Sequence, residues 1–346
     1  MNLLLAIESS CDETAVALFD IDGSAPPRLL MEEVASQIDL HRAYGGVVPE
    51  LAAREHSRLL PILVDKVLND AQQSLRSVRC VGVTAGPGLK GSLLVGVNFA
   101  AGLGLALDVP VLPINHIEGH LLAAMLDHPD LTFPYLVLVV SGGHTELLWV
   151  ENLGKYRCLA RTIDDAAGEA FDKSAKLLGL GYPGGPSLAA LADEVTTSAF
   201  TLPKVAREIA GFSFSGLKTA VSLLIRANTS PAARPELAYA IQQAIVESLL
   251  YKCELAIDST GAQRIVVSGG VAANKALRAE MQKLTAKKRN TKVFFPTFAH
   301  CTDNAAMIGY VAALRYRAGC NAPAEWEVFP RWPVEDTQLL YQQNAL

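Results

Sequence analysis

The chain has 346 residues and a formal net charge of −5; half of it is hydrophobic and 19% is charged. This composition describes a globular, soluble chain, excludes a generally basic nucleic-acid coat, and at this length favours two domains over one. Six cysteines scattered without a Cys-x-x-Cys pair suggest neither a zinc ribbon nor a disulfide framework, and fit reduced thiols in a cytoplasmic protein.

The N-terminus lacks a basic region before its apolar residues and turns polar at Glu8, too early for a signal peptide. No apolar run is expected to reach membrane-spanning length. Residues 3–19 read as a strand, the polar turn Glu8-Ser9-Ser10-Cys11-Asp12-Glu13-Thr14, and a second strand. In 49–69, Leu51, Leu59, Leu60, Leu63 and Val67 recur at helical spacing. Residues 81–107 read as a strand, a glycine-rich turn and a small-residue helix, and 109–115 as a short buried strand that delivers the chain to His116.

His116 and His120 lie four residues apart, on one face if the segment is helical, which is metal-ligand spacing. Residues 135–151 repeat the plan of 3–19, with an apolar run ending in Ser141-Gly142-Gly143-His144-Thr145. Residues 163–191 place Asp172 and Lys173 on a helix followed by Tyr182-Pro183-Gly184-Gly185, and 195–215 read as a surface excursion. Residues 264–274 form a strand that breaks at Ser268-Gly269-Gly270 and enters a helix through Asn274. Lys283, Lys287, Lys288, Arg289 and Lys292 form a basic strip, either a solvated helix end or an RNA contact. Asp303, at the start of a further helix, can complete a two-histidine, one-carboxylate set; Cys301 beside it is a soft ligand or a small buried apolar residue. Residues 321–346 read as irregular rather than as a strand pair.

Alternating strands and helices argue for an α/β fold, and the repeated strand-and-turn units argue for an internal duplication with a cleft between two related domains. Ser-Gly-Gly turns present several backbone N–H groups to an oxyanion, although such turns also serve conformation alone. Three polar turns closing apolar strands point to a nucleotide in the interdomain cleft. Asp172 can accept from ribose hydroxyls while the Gly-Gly backbone borders a flat base; the alternative is an exposed helix carboxylate and an ordinary turn. The zinc metallopeptidase signature places Glu directly after the first His. Glu118 instead follows His116 by two residues and points away from the shared histidine face, which counts against a peptidase.

The segments LAIESSCDETAVAL, YGGVVPELAAREH, TAGPGLKGSLLVG, HIEGH, VSGGHTEL, DDAAGEAFDKSAKLLGLGYPGGP, FSFSGLKTA, VSGGVAANKALR and CTDNAAMIG, from residue 5 to about 309, resemble in order and spacing the bacterial threonylcarbamoyltransferases that modify tRNA. His144 after the glycines, rather than Asn, is similar to the bacterial branch and not to the archaeal and eukaryotic one.

The resemblance implies an actin-like ATPase (ASKHA) fold of two domains with duplicated topology, expected at 1–117 plus about 304–346 and at 118–303. It implies transfer of a threonylcarbamoyl group from threonylcarbamoyl-adenylate to N6 of the adenosine just 3′ of the anticodon, releasing AMP, in tRNAs that read codons beginning with A. It implies His116, His120 and Asp303 as ligands of one divalent metal, iron with zinc as the alternative. Val139, Val140, Ser141, Gly142, Gly143, Asp172, Gly185 and Asn274 match adenylate contacts, and Ser9 and Glu13 match polar residues of the first phosphate turn, with Glu13 or Asp12 as the proton relay. ATP or ADP is a further occupant of the cleft. The expected partners are the tRNA anticodon loop, a paralogous actin-like subunit and a small ATPase, with no membrane. Departures from the family pattern fall in 195–210 and in the tail. The rival readings are a metallopeptidase, a sugar kinase of the same fold, and a non-catalytic nucleotide-binding subunit.

Overall fold

A computed structural model describes residues 2–23, 25–181, 183–203, 210–228, 230–288, 290–322 and 326–343. Tyr182 and Arg289, named above, lie outside the described residues. The chain divides into two compact units, Met1–Pro129 with Leu153–Lys155 and Thr302–Leu346, and Asp130–Asn152 with Tyr156–Cys301.

The first unit is built on β1 (Leu3–Glu8), β2 (Glu13–Asp20), β3 (Arg28–Ser36), β4 (Val78–Gly86) and β5 (Val111–Asn115), in the order β3-β2-β1-β4-β5. β1 pairs antiparallel with β2 and parallel with β4, and β4 pairs parallel with β5. Every residue of β1 is buried because the strand is covered on both faces. Leu3, Leu5 and Ile7 pack in a cluster with Leu60, Leu63, Val64 and Val67 of the helix Pro49–Asp70. Ala6, on the opposite face, meets Gly309 of the helix Ala305–Arg317. A methyl on Gly309 would lie 2.5 Å from the Phe19 ring, and one on Gly82 would lie 2.5 Å from Ala312 Cβ, so glycine at both positions lets this helix sit directly on the sheet.

The helix Lys90–Leu107, 18 residues with mean hydropathy 1.4, is long and apolar enough to cross a membrane by length and composition. That corrects the expectation that no run reaches such a length. A third of it is buried, on a face that includes the small residues Gly96, Ala100 and Gly104, with Gly96 against Ser9 and Ile7 of the first strand and turn and Gly104 against Val111 of β5. The tail also departs from expectation, since Cys320–Asn321 pairs antiparallel with Gln342–Gln343 in a two-residue ladder.

The second unit repeats the plan with β6 (Tyr135–Val140), β7 (Thr145–Asn152), β8 (Lys155–Arg161), β9 (Arg264–Ser268) and β10 (Lys292–Phe294), in the order β8-β7-β6-β9-β10. β6 pairs antiparallel with β7 and parallel with β9, and β9 pairs parallel with β10. Number the strands of each unit in chain order and both sheets read 3-2-1-4-5, which is the internal duplication that the repeated segments predict. The core here gathers Leu136, Leu138 and Val140 with Phe171, Ile241, Ile245 and Leu249 from the helices Ala167–Leu177 and Arg234–Thr260.

Candidate functional site

Two helix starts in the first unit carry the candidate metal ligands. Asn115 closes β5 and caps the helix His116–Leu122, its Oδ1 accepting from the Ile117 and Glu118 amides at 2.9 and 3.2 Å. Asn304 caps the helix Ala305–Arg317 in the same way, accepting from the Met307 amide at 2.7 Å, and so fixes Asp303 just outside that helix. Gly119 lies between the two histidines and lets their helix close on the other, since a Cβ there would lie 3.0 Å from Met307 Cγ and 3.1 Å from Ile308 Cδ1.

The result is convergence: candidate donor atoms of His116, His120 and Asp303 lie within 4.8 Å of one another. Asp303 Oδ1 is 3.4 Å from His116 Nε2 and 3.2 Å from His120 Nε2. The histidines are buried, at 5% and 0% exposure, with ring centroids 4.8 Å apart and planes at 88°. His116 Nδ1 lies 3.1 Å from Glu8 Oε2, whereas His120 Nδ1 is buried without a hydrogen-bond partner among the described residues. Burial alone would push the His116 imidazole down and the Asp303 carboxyl up. Their mutual charge and hydrogen bond, with Glu8 adding to His116, overcome that and hold His116 well above and Asp303 well below their ordinary values. Two imidazoles and one carboxylate meeting at a buried point form a donor set suited to a divalent transition metal, so the residues present fit such an ion.

Glu118 lies on the same short helix and turns elsewhere. It is wholly buried in an ion pair with Arg315, whose Nε donates to Glu118 Oε2 at 3.0 Å. A carboxylate committed to a buried guanidinium is not placed to activate water at the histidine pair. Cys301 is buried, and its thiol lies 3.3 Å from Arg278 Nη2.

The polar turn between β1 and β2 carries Ser9, Asp12 and Glu13. Ser9 is buried and its hydroxyl donates to the Ser92 carbonyl at 3.1 Å, tying the turn to the helix Lys90–Leu107. Glu13 is pushed up to about 9 by burial, then by the Asp303 and Asp12 carboxylates and a hydrogen bond with Asp12. In the metal-free protein it therefore retains its proton at neutral pH.

In the second unit, Val139 and Val140 are buried at the end of β6, and the Ser141-Gly142-Gly143 turn follows. The turn is closed by the Ser141 amide donating to the His144 carbonyl at 2.8 Å, and by the His144 amide donating to Ser141 Oγ at 3.1 Å. Gly142 and Gly143 are exposed, and a Cβ on either would meet nothing within 4 Å. The helix Ala167–Leu177 begins against this turn, the Gly168 amide donating to the Ser141 carbonyl at 3.2 Å.

Asp172 Oδ1 accepts from the Gly184 and Gly185 amides at 3.0 and 2.8 Å, so the carboxylate caps the helix Gly184–Ala192. Burial raises its pKa, and the two amides only partly offset that. Asn274 caps the helix Lys275–Lys287 through the Leu277 amide at 3.0 Å and donates to Gln242 Oε1 at 2.8 Å. In the basic strip, Lys283 pairs with Glu280, Lys288 with Asp258 and Glu254, and Lys292 with Asp130.

The sequence reading did not single out Glu8, Thr84 or Arg315. Asn115 and Asn304 did carry a usable signal, an Asn directly before each ligand-bearing helix.

Residues 28–310 match the family model described as tRNA N6-adenosine threonylcarbamoyltransferase. A protein of that name from Acidovorax sp. (strain JS42) is 49% identical, with 98% of this chain and 99% of the relative covered. Another from Aromatoleum aromaticum is 51% identical over 96% of this chain and 97% of the relative. Among solved structures, component A of (R)-2-hydroxyglutaryl-CoA dehydratase from Acidaminococcus fermentans is similar with TM-score 0.54 and 16% identity, covering 91% of this chain and 97% of that one. HypF from T. kodakarensis is similar with TM-score 0.61 and 14% identity, covering 91% of this chain and 48% of that one. These two likenesses concern the fold alone, which is the actin-like ATPase fold.

Proposed function

Since the chain belongs to the tRNA N6-adenosine threonylcarbamoyltransferase family, we propose a reaction that its own residues can perform. The enzyme moves the threonylcarbamoyl group from threonylcarbamoyl-adenylate to N6 of the adenosine just 3′ of the anticodon, in tRNAs that read codons beginning with A, and releases AMP. The observation that carries the mechanism is the convergence of His116, His120 and Asp303 within 4.8 Å.

An adenine amine is a weak nucleophile because its lone pair is delocalised into the ring, so the electrophile must be activated. His116, His120 and Asp303 would hold one divalent cation, iron with zinc as the alternative. When bound, such an ion supplies Lewis-acid polarisation of the carbamoyl carbonyl, worth several kcal/mol.

The Ser141-Gly142-Gly143 turn, reached through Val139 and Val140, offers its Gly142 and Gly143 amides to the adenylate phosphate and to the charge that builds on departing AMP, while the Ser141 amide holds the turn closed on the His144 carbonyl. Asp172 Oδ1 is taken by the Gly184 and Gly185 amides, which leaves Oδ2 to accept from a ribose hydroxyl. Gly185 and Asn274 border the nucleoside. Ser9 anchors the turn that carries Asp12 and Glu13, and this carboxyl pair, sharing a proton, relays the one released by the attacking amine.

The partners of this reading are the tRNA anticodon loop, a paralogous actin-like subunit and a small ATPase, working in the cytoplasm; ATP or ADP competes for the adenylate position. The test supplies threonylcarbamoyl-adenylate, unmodified tRNA and those companions. Equal yields of modified nucleoside and AMP, abolished by a chelator and restored by iron or zinc, are expected. Failure to modify tRNA with all components present would overturn the reading.

A further inference from the structure

The end of β1 faces the metal candidates with a carboxylate that the transfer chemistry leaves unused. Glu8 is wholly buried, and three groups converge on it. Its Oε1 accepts from the Ser10 amide at 2.6 Å, and its Oε2 accepts from the Thr84 hydroxyl at 2.5 Å and lies 3.1 Å from His116 Nδ1. The Ser10 hydroxyl also approaches His116 Nδ1, at 3.3 Å. Thr84 reaches Glu8 because β1 and β4 run parallel in register, with Ile7 beside Val83.

We propose that Glu8 is a positioning residue that fixes His116 as a metal ligand, with Thr84 holding Glu8 in turn. The proposal rests on the metal reading above and deepens it. A buried carboxylate 3.1 Å from Nδ1 requires that nitrogen to carry the proton, because two acceptors cannot face each other at that distance. With a metal bound, the His116 lone pair would then be offered from Nε2, the atom 3.4 Å from Asp303 Oδ1. Donating Nδ1–H to a carboxylate also raises the basicity of Nε2 and fixes the ring plane. His120 is the contrasting case: its Nε2 also meets Asp303 Oδ1, at 3.2 Å, but among the described residues its Nδ1 has no hydrogen-bond partner. The two histidines are therefore unequal, His116 held through both ring nitrogens and His120 through Nε2 alone.

The probe is cobalt(II), whose visible absorption reports ligand geometry, titrated into chelator-stripped protein against a competing chelator. Glu8→Gln is expected to weaken cobalt binding about 10- to 100-fold, the range for loss of such a partner, and to alter the cobalt spectrum. Thr84→Val, which keeps the side-chain shape and removes one hydroxyl, is expected to weaken cobalt binding less than Glu8→Gln does. Wild-type cobalt affinity in a folded Glu8→Gln variant would overturn the assignment. If that variant fails to fold, unchanged affinity in Thr84→Val overturns it instead. A wild-type protein that bound neither cobalt, iron nor zinc would overturn the metal reading itself, a result separate from either variant's.

Discussion

Glu118 and Arg315 form a wholly buried ion pair, the Arg315 Nε donating to Glu118 Oε2 at 3.0 Å, with the Arg315 guanidinium also over the Tyr341 ring at 4.0 Å from its centroid. The acidic residue inside the His-x-x-x-His segment therefore joins two helices of the first unit. Removing one member of such a pair strands a charge in the core and costs about 3–5 kcal/mol. Glu118→Ala is expected to lose stability of that order in urea unfolding, and Glu118→Met with Arg315→Met to recover part of it. A peptidase base at this position would give the opposite pattern: lost peptide cleavage and little change in stability.

Gly119 concerns the spacing of the ligand helices. A methyl there would press on Met307 and Ile308, and overpacking of this kind typically costs about 1–3 kcal/mol. Gly119→Ala is expected to lower both the unfolding midpoint and the metal content, read by denaturant titration and elemental analysis, because the added methyl presses the histidine helix against Met307 and Ile308 of the helix that follows Asp303. Wild-type metal content in the variant would show that this close approach does not set the site.

Asp172 caps a helix and, in the proposed reaction, accepts from the ribose, two duties that one substitution separates. Asp172→Asn keeps an oxygen for the Gly184 and Gly185 amides but replaces the second carboxylate oxygen with a donor. The variant is expected to melt near the wild type yet bind AMP at least about tenfold more weakly, equivalent to roughly 1.4 kcal/mol. Asp172→Ala is expected to lose stability as well, since the N-terminus of Gly184–Ala192 then lacks its cap. Unchanged AMP affinity in Asp172→Asn would make the residue purely a cap.

His56 gives stability a pH dependence. Its Nδ1 lies 2.7 Å from Thr14 Oγ1 and its Nε2 2.9 Å from the Cys11 carbonyl, in full burial. Burial holds its pKa below the ordinary 6.5, against the opposing pull of the Cys11 carbonyl and the Glu8, Asp12 and Glu55 carboxylates. The unfolded chain thus takes up a proton near pH 6.5 that the folded chain refuses. The His56 contribution is complete above that pH and is lost progressively as the pH falls below it. Melting temperature is expected to fall less steeply with acidification in His56→Gln than in the wild type; parallel profiles would contradict this.

Much of the fold was legible because each local pattern agreed with its surroundings. The paired strands of 3–19 and 135–151 alternate around polar turns, and the structure finds β1–β2 and β6–β7 there with matching sheet orders. The shared face of His116 and His120 was legible because helical spacing is a local rule; that Asp303 meets them is a long-range pairing, expected from its residue type and from the family resemblance rather than from spacing. Glu8 was not singled out, because its partners Thr84 and His116 are set by the β1–β4 pairing and the end of β5, which no local spacing encodes. The small-residue helix within 81–107 was legible, but its unbroken apolar length was not, because its glycines and alanines dilute the apparent hydrophobic run. The tail pairing rests on two residues at each end, too short to leave a period.

The central claim is that the His116, His120 and Asp303 centre activates the transfer. Its most direct test measures metal content and transfer from threonylcarbamoyl-adenylate to tRNA on the same preparations of wild type, His116→Ala, His120→Ala and Asp303→Ala, with the companions present and folding checked by circular dichroism. The expected result is metal in the wild type, background metal in each folded variant, and transfer lost in step with it. Full transfer by a folded, metal-depleted variant would contradict the account.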